Sequence, residues 1–315
     1  MRLSVIICTW NREASLREAL CSLHQSRFPV ATTWEVLIVD NNSTDGTRAV
    51  CQQFVEQNPE RYRYISEKRQ GKSFALNAGV ENAKGQILAF TDDDVQVHPD
   101  WLTETLRVFE THACVGVGGK IVAVWNSDKP HWLTDEGPYK FMPAIVSYDL
   151  GEELHEIRFP AYGANLSLKK QVFEKHGMFR TDLGPTVGSE IRGEDNEFCW
   201  RLLRAGERLI YAPKAIVFHP VEQYRINKRY FQEWYYGMGR SRPRIERAPE
   251  GAVRYFGFPR YMLRWYLRDF LLWMSSLTPK RRFYFKLQFC ATRGQIMEEK
   301  RIWRKKHQVR YESKT

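Results

Sequence analysis

The sequence predicts an α/β protein: a mostly parallel sheet with helices on both faces, followed by a helical C-terminal extension rich in basic and aromatic residues. Three observations carry this expectation. Short apolar, β-branched runs alternate with stretches of helical period through the front of the chain. Each of these runs stops on a polar or acidic residue, as strands do where they leave a buried sheet. After Glu222 the alternation ends and the composition shifts to Arg, Lys, Tyr, Phe and Trp.

The elements follow in order. Residues 3–8 form the first strand-like run, followed by polar Thr9, Asn11 and Arg12 and by a helical stretch marked by Leu16, Ala19, Leu20 and Leu23. Residues 34–40 repeat the pattern and end on Asp40, with an Asx- and Gly-rich turn leading into the next helix. Residues 62–66, a helix around 73–83 and a strand over 86–90 continue it, and the last strand delivers Asp92, Asp93 and Asp94. In an open parallel sheet ligands lie beyond the carboxyl ends of the strands, so Thr9, Asp40 and the acidic triplet should share one rim. Residues 115–170 are less regular, and residues 125–143 read as a long connection or substrate-facing insert. Helices are expected over 171–179 and 196–205, a closing strand over 209–218, and a linker over 240–251. The catalytic region is expected to be 1–221, with a nucleotide-binding half over 1–119 and an acceptor-binding half over 120–221; residues 222–315 form the extension.

Composition narrows the class. With 43% hydrophobic and 14% aromatic residues the chain can bury a full core, which argues against disorder. The net charge of +11 is uneven: residues 222–315 hold 23 Lys+Arg against 8 Asp+Glu, leaving 25 against 29 in front. That division suggests chemistry in the front and attraction to a polyanionic surface behind. The six cysteines are scattered without the spacing of a zinc site, which fits a reduced cytoplasmic setting, and the N-terminus lacks a signal-peptide pattern.

Several residues point to metal-assisted chemistry. Unit charges ~4 Å apart repel by about 4 kcal/mol at a partly shielded site, so three adjacent carboxylates at a strand end invite a divalent cation. Mg²⁺ or Mn²⁺ prefers such oxygen ligands and bridges to substrate phosphates; the plain alternative is a solvated acidic turn. Glu194 and Asp195 open a helix, where the dipole favours an ionised carboxylate able to act as a base, or simply complements the helix end. His219 follows an apolar strand and is either structural or a metal ligand. Gly71-Lys72-Ser73 resembles the end of a P-loop, but the first glycine of that motif would fall on Ser66, and no G-x-G-x-x-G follows the first strand.

Taken in order, VIICTWNR, VLIVDNNSTDGT, RQGKSFALNAGVENAKG, AFTDDDV, AYGANLSLKKQVF, RGEDNEFCWRLLRAG and IVFHP resemble the family 2 glycosyltransferases of GT-A fold over about two-thirds of the chain. The resemblance implies an inverting, metal-dependent transfer of a sugar from a nucleotide diphosphate, a UDP-sugar first among them, to a hydroxyl of a glycan or lipid-linked acceptor in surface polysaccharide synthesis. It implies that Thr9, Asn11, Arg12 and Asp40 hold the base, that Lys72, Asp92 and Asp93 sit by the nucleotide, and that Asp94, Asp92 and His219 hold Mg²⁺ or Mn²⁺. Asp195 matches the catalytic base, and Gly163, Ala164, Asn165, Glu194 and Trp200 the sugar and acceptor pocket. Two positions depart from the family: Cys8 stands where many members have Pro, and Leu76 where many have Arg.

The extension interleaves cations and aromatics, and Arg264 and Arg268 break its most apolar run, so residues 258–310 are expected to lie on a membrane rather than cross it. Packing on the catalytic region or in a homodimer is the alternative. The expected location is the cytoplasm, peripheral on the inner face of the cytoplasmic membrane. A sugar-phosphate nucleotidyltransferase on a related sheet and a nucleic-acid-binding protein using the basic tail are the competing functions. Nucleic acid is the disfavoured partner, because no RNA or DNA motif is present.

Overall fold

The computed structural model describes residues 2–28, 32–133, 137–140, 144–189 and 191–312. They fall into two compact units: 1–124, 146–187 and 194–220 in the first; 125–145, 188–193 and 221–315 in the second. Two inserts of the expected catalytic region therefore group with the C-terminal helices.

The first unit begins with β1 (Leu3–Thr9), α1 (Glu13–His24), β2 (Trp34–Asp40), α2 (Thr47–Gln57), β3 (Tyr62–Ser66), α3 (Lys72–Asn82) and β4 (Ile87–Asp92). β5 (Gln96–Val97), α4 (Trp101–Thr111), β6 (Gly116–Trp125), β7 (His155–Glu156), β8 (Leu166–Lys169), α5 (Gln171–His176), α6 (Glu194–Arg204) and β9 (Leu209–Val221) complete it. Among the described residues these strands form one sheet in the order β3-β2-β1-β4-β8-β6-β9-β5, with β7 on β9. The first four strands are parallel. β8 pairs antiparallel with both β4 and β6, so the sheet as a whole is mixed.

The local reasons are plain. β1 and β2 are buried almost throughout, as central strands covered on both faces must be. α1 buries Leu16, Ala19, Leu20 and Leu23, one stripe at helical spacing. α6 carries Glu194, Asp195 and Glu197 in its first turn and Arg201 and Arg204 in its last, each set complementing the macrodipole. α5 stops at His176, before the expected residue 179, because Gly177 takes a left-handed φ of 80°.

In the second unit α7 (Lys228–Ile245), a hairpin of β10 (Arg254–Tyr255) and β11 (Phe258–Pro259), α8 (Arg260–Ser275) and α9 (Pro279–Glu312) follow. The linker expected over 240–251 begins only after residue 245. Arg240 and Arg244 both reach Glu298 of α9, at 3.1 and 2.7 Å, and these ion pairs extend α7 through a stretch whose local sequence reads as a break. Pro243 sits in the last turn of α7. Trp132 packs edge-on against Phe231 of α7 and Phe283 of α9, each at 5.3 Å, which explains why the insert around it joins this unit. Among the described residues no helix is long and apolar enough to cross a membrane.

Candidate active site

Parallel register builds the rim. Thr9 lies opposite Asp40 and Cys8 opposite Asp92, so the ends of β1, β2 and β4 stand side by side. Asp94 comes from the turn after β4. His219 arrives from β9 beside it, because β5 pairs antiparallel with β9 at Gln96 and Phe218.

Asp92, Asp94 and His219 bring one ligand atom each to within 4.8 Å of one another. His219 Nε2 lies 3.5 Å from Asp94 Oδ1. Its Nδ1 stands 3.0 Å from the Pro220 carbonyl, to which only an Nδ1–H can donate, and this contact leaves Nε2 turned toward the carboxylates. Two carboxylates and an imidazole with its outer nitrogen anchored are a donor set that fits Mg²⁺ or Mn²⁺. Asp93 is pushed up to about 7, first by burial and then by the charge of Asp94, with the Thr9 side chain and Arg12 pulling the other way.

A cavity next to this group is lined by Cys8, Lys72, Thr91, Asp92, Gly163, Glu194 and Asp195 among others. Lys72 Nζ donates to Asp92 Oδ1 at 2.6 Å and lies 4.0 Å from Glu194. Burial disfavours its charge, but Asp92, Glu194 and Asp195 outweigh burial and hold the ammonium above its ordinary value. Glu194, buried at the first turn of α6, is raised first by burial and then by the charge of Asp195, with Lys72 opposing. The Thr91 hydroxyl is buried on the cavity wall with no hydrogen-bond partner among the described residues.

Asp195 is held from two sides. Its Oδ2 accepts the Gly163 N–H at 2.7 Å, and its Oδ1 accepts the Asn196 backbone N–H at 2.7 Å and side-chain amide at 3.2 Å. Gly163 leaves room for that carboxylate: a Cβ there would stand 3.2 Å from Asp195 Oδ2, close enough to push it by a few tenths of an ångström.

The remaining expected site residues fall in different places. Asn11, at a positive φ of 51°, accepts the Thr44 N–H at 2.7 Å and so ties the first loop to the second. Asp40 is 2% exposed, and its oxygens accept the Ser43 N–H at 2.9 Å and the Tyr64 hydroxyl at 2.9 Å. The carboxylate expected to hold the base thus already serves the turn that follows β2. Asn165 is 2% exposed and accepts the Trp101 indole N–H at 2.7 Å while donating to the Lys120 and Ala215 carbonyls at 2.9 and 2.8 Å. It clamps α4, β6 and β9 from inside the core, where the expectation had it facing the pocket, and the adjacent Ala164 is buried too. Trp200 is part-exposed, 6.1 Å from Phe159 and beneath the Arg204 guanidinium at 5.6 Å.

Sequence reasoning missed four supporting residues. Asn41 donates to the Glu67 and Arg69 carbonyls and accepts the Gly71 N–H at 2.8 Å, fixing the loop that presents Lys72. Gly71 adopts φ 137°, open to glycine alone. Tyr64 orients Asp40, and Thr91 faces the cavity. Only Asn41, at a strand end inside an Asx-rich turn, carries a local signal for its role.

The profile of the family described as Glycosyl transferase family 2 matches residues 4–177. A glucosyl-dolichyl phosphate glucuronosyltransferase of Haloferax volcanii is 28% identical over 233 residues, 71% of each chain. The succinoglycan biosynthesis protein ExoM of Rhizobium meliloti is 26% identical over 246 residues, 78% of this chain and 75% of that one. Among solved structures, a mannosyltransferase of Pyrobaculum calidifontis in complex with GDP-Man and Mn²⁺ shares the fold with a TM-score of 0.55 at 17% identity, over 95% of this chain and 73% of that chain. GalNAc-T7 with UDP, GalNAc and Mn²⁺ does so with a TM-score of 0.58 at 17% identity, over 80% of this chain and 52% of that chain. With more than half of its length matched by the family profile, on a GT-A sheet, this chain belongs to glycosyl transferase family 2.

Proposed function

We propose that this glycosyltransferase is an inverting, metal-dependent enzyme that moves a sugar from a nucleotide diphosphate, a UDP-sugar in the first instance, to a hydroxyl of a glycan or lipid-linked acceptor. The observation that carries the reading is the convergence of Asp92, Asp94 and His219 beside a cavity that Asp92 and Asp195 both line. Two structural neighbours were solved with nucleotide or nucleotide-sugar and Mn²⁺, which supports a donor of that class. The similarity to a succinoglycan biosynthesis protein and to a glucosyl-dolichyl phosphate glucuronosyltransferase supports a glycan or lipid-linked acceptor, and with it a place on the inner face of the cytoplasmic membrane is proposed.

In this mechanism Asp92, Asp94 and His219 would hold a divalent ion, which would supply charge stabilisation to the leaving diphosphate. Asp195 takes the proton from the acceptor hydroxyl. The freed oxygen attacks the anomeric carbon from the face opposite the nucleotide, the carbon–phosphate-oxygen bond breaks, and the nucleoside diphosphate leaves with inversion. The Gly163 and Asn196 donors hold the Asp195 carboxylate in place, so its aim is set before the acceptor binds. Lys72 steadies Asp92 and brings positive charge near the diphosphate. Glu194 and the Thr91 hydroxyl face the sugar's own hydroxyls, and Trp200 offers the acceptor a flat apolar surface.

A panel of sugar nucleotides, each assayed with Mn²⁺ or Mg²⁺ for donor hydrolysis, tests this without knowledge of the acceptor. Release of nucleoside diphosphate from one donor is the expected result. Pyrophosphate release from a nucleoside triphosphate and a sugar phosphate would instead favour a nucleotidyltransferase.

A further inference from the structure

Helix α8 is turned the wrong way for a helix facing water. Its one carboxylate, Asp269, is 2% exposed and packed inward, where it accepts the Thr292 hydroxyl of α9 at 2.6 Å and the Arg268 guanidinium at 2.8 Å. Met262 is buried on that same side. The opposite side carries Leu263, Leu267, Phe270, Leu271 and Met274, all exposed, with Leu271 at 63%. At 3.6 residues per turn these five fall within an arc of about 100°. Leu277, 96% exposed, prolongs the stripe into the turn before α9. A contiguous apolar strip of this kind marks a surface that meets something other than water.

The charges around it identify the partner. Arg260 and Arg264 stand in or beside the stripe, Arg268 borders it, and Lys280, Arg281 and Arg282 open α9 just past Leu277. Between residues 260 and 282 the only acidic residue is the inward-facing Asp269. A second copy laid face to face on this stripe would set arginines against arginines. A polyanion such as nucleic acid would answer the cations and leave the leucines wet. An anionic bilayer answers both, taking the side chains into the acyl boundary and the cations to the phosphates.

We propose that the outward face of α8, from Leu263 to Leu277, is an in-plane docking surface for anionic phospholipid. This deepens, and rests on, the reading that the acceptor is carried on a membrane lipid. It assigns that location to one helix face, with α9 as the scaffold that holds Asp269 inward.

The test is flotation of the full-length protein with phosphatidylcholine vesicles, with and without about a third phosphatidylglycerol, alongside donor hydrolysis in solution. Wild type should float with the anionic vesicles and stay largely free of the neutral ones. The double variant Leu267→Glu/Leu271→Glu should lose roughly tenfold or more of that partition, with an unchanged thermal midpoint and unchanged hydrolysis. Arg260→Gln/Arg264→Gln, which leaves the stripe intact, should lose roughly fivefold per cation at low salt and little at high salt. Absence of wild-type flotation would overturn the proposal, as would equal flotation by the Glu variant. So would a wild-type dimer that the Glu variant splits while lipid binding stays the same, since the stripe would then belong to a second copy. A protein that floats as described yet turns over no donor upholds the docking surface and counts against the proposed donor and mechanism.

Discussion

Replacing Asp195 by Asn should separate chemistry from binding, and the structure sets the size of the effect. The carboxylate accepts three hydrogen bonds, from Gly163 N at 2.7 Å, Asn196 N at 2.7 Å and Asn196 Nδ2 at 3.2 Å. An amide has one accepting oxygen and one donating NH₂. Whichever way it turns, the NH₂ confronts a backbone N–H, and at least one charge-assisted bond is lost. At this part-buried position that costs about 1–2 kcal/mol of stability, visible as a drop of a few degrees in melting temperature. Loss of the base costs more, roughly 10²–10⁴ in transfer rate, which is about 3–5 kcal/mol of barrier. The assay pairs initial rates of transfer or donor hydrolysis with calorimetric binding of nucleoside diphosphate and Mn²⁺. Binding within about threefold of wild type with the rate down by at least roughly 100-fold is the expected pattern. A transfer rate within about twofold of wild type, in a folded variant, would refute Asp195 as the base.

Four further outcomes follow from the same geometry. Gly163→Ala pushes a methyl group to 3.2 Å from Asp195 Oδ2 and should slow transfer by roughly 10- to 100-fold in steady-state assays while the fold survives. Asn165→Ala removes the partner of the Trp101 indole and strands two carbonyls in the core, so urea denaturation should show a loss of about 3 kcal/mol or more with the KM for donor unchanged. Mn²⁺ with nucleoside diphosphate should raise the melting temperature, a chelator should abolish the rise and the activity, and Asp94→Asn or His219→Ala should blunt both, since binding to the native state alone stabilises by mass action. Glu35 gives the pH dependence. Burial acts to raise its pKa, but bonds from Arg63, the Lys84 N–H and Ser4 overcome burial and bring it below 4.5. Its contribution is therefore complete above about pH 4.5 and lost as pH falls through the lower folded value, so Glu35→Gln should flatten the acid limb of a stability–pH curve measured by denaturant midpoint.

The alternation of apolar runs and helical stretches over 3–92 was legible because period and composition are local properties, and a parallel sheet follows from them by simple chain geometry. Once strands are parallel and in register, their ends must align, and this is why Thr9, Asp40 and Asp92 could be placed on one rim from the sequence. The extension read as basic and aromatic for the same reason. What the sequence could not determine were the inward directions of individual side chains. Asp40 and Asn165 look like binding residues in one dimension, yet their partners Tyr64, Trp101 and Ala215 lie 24 to 64 residues away, tie Asp40 to the sheet and bury Asn165 in the core. The first part of the linker expected over 240–251, up to residue 245, gave way to helix, with Glu298, 54 residues beyond Arg244, pairing with it. Likewise the apolar stripe of α8 became an outward surface only when Thr292 captured Asp269 on the other side. In each case a hydrogen bond or ion pair between residues distant in sequence outweighs the local tendency, and such pairs exist only after strand order and helix packing have brought the two groups together.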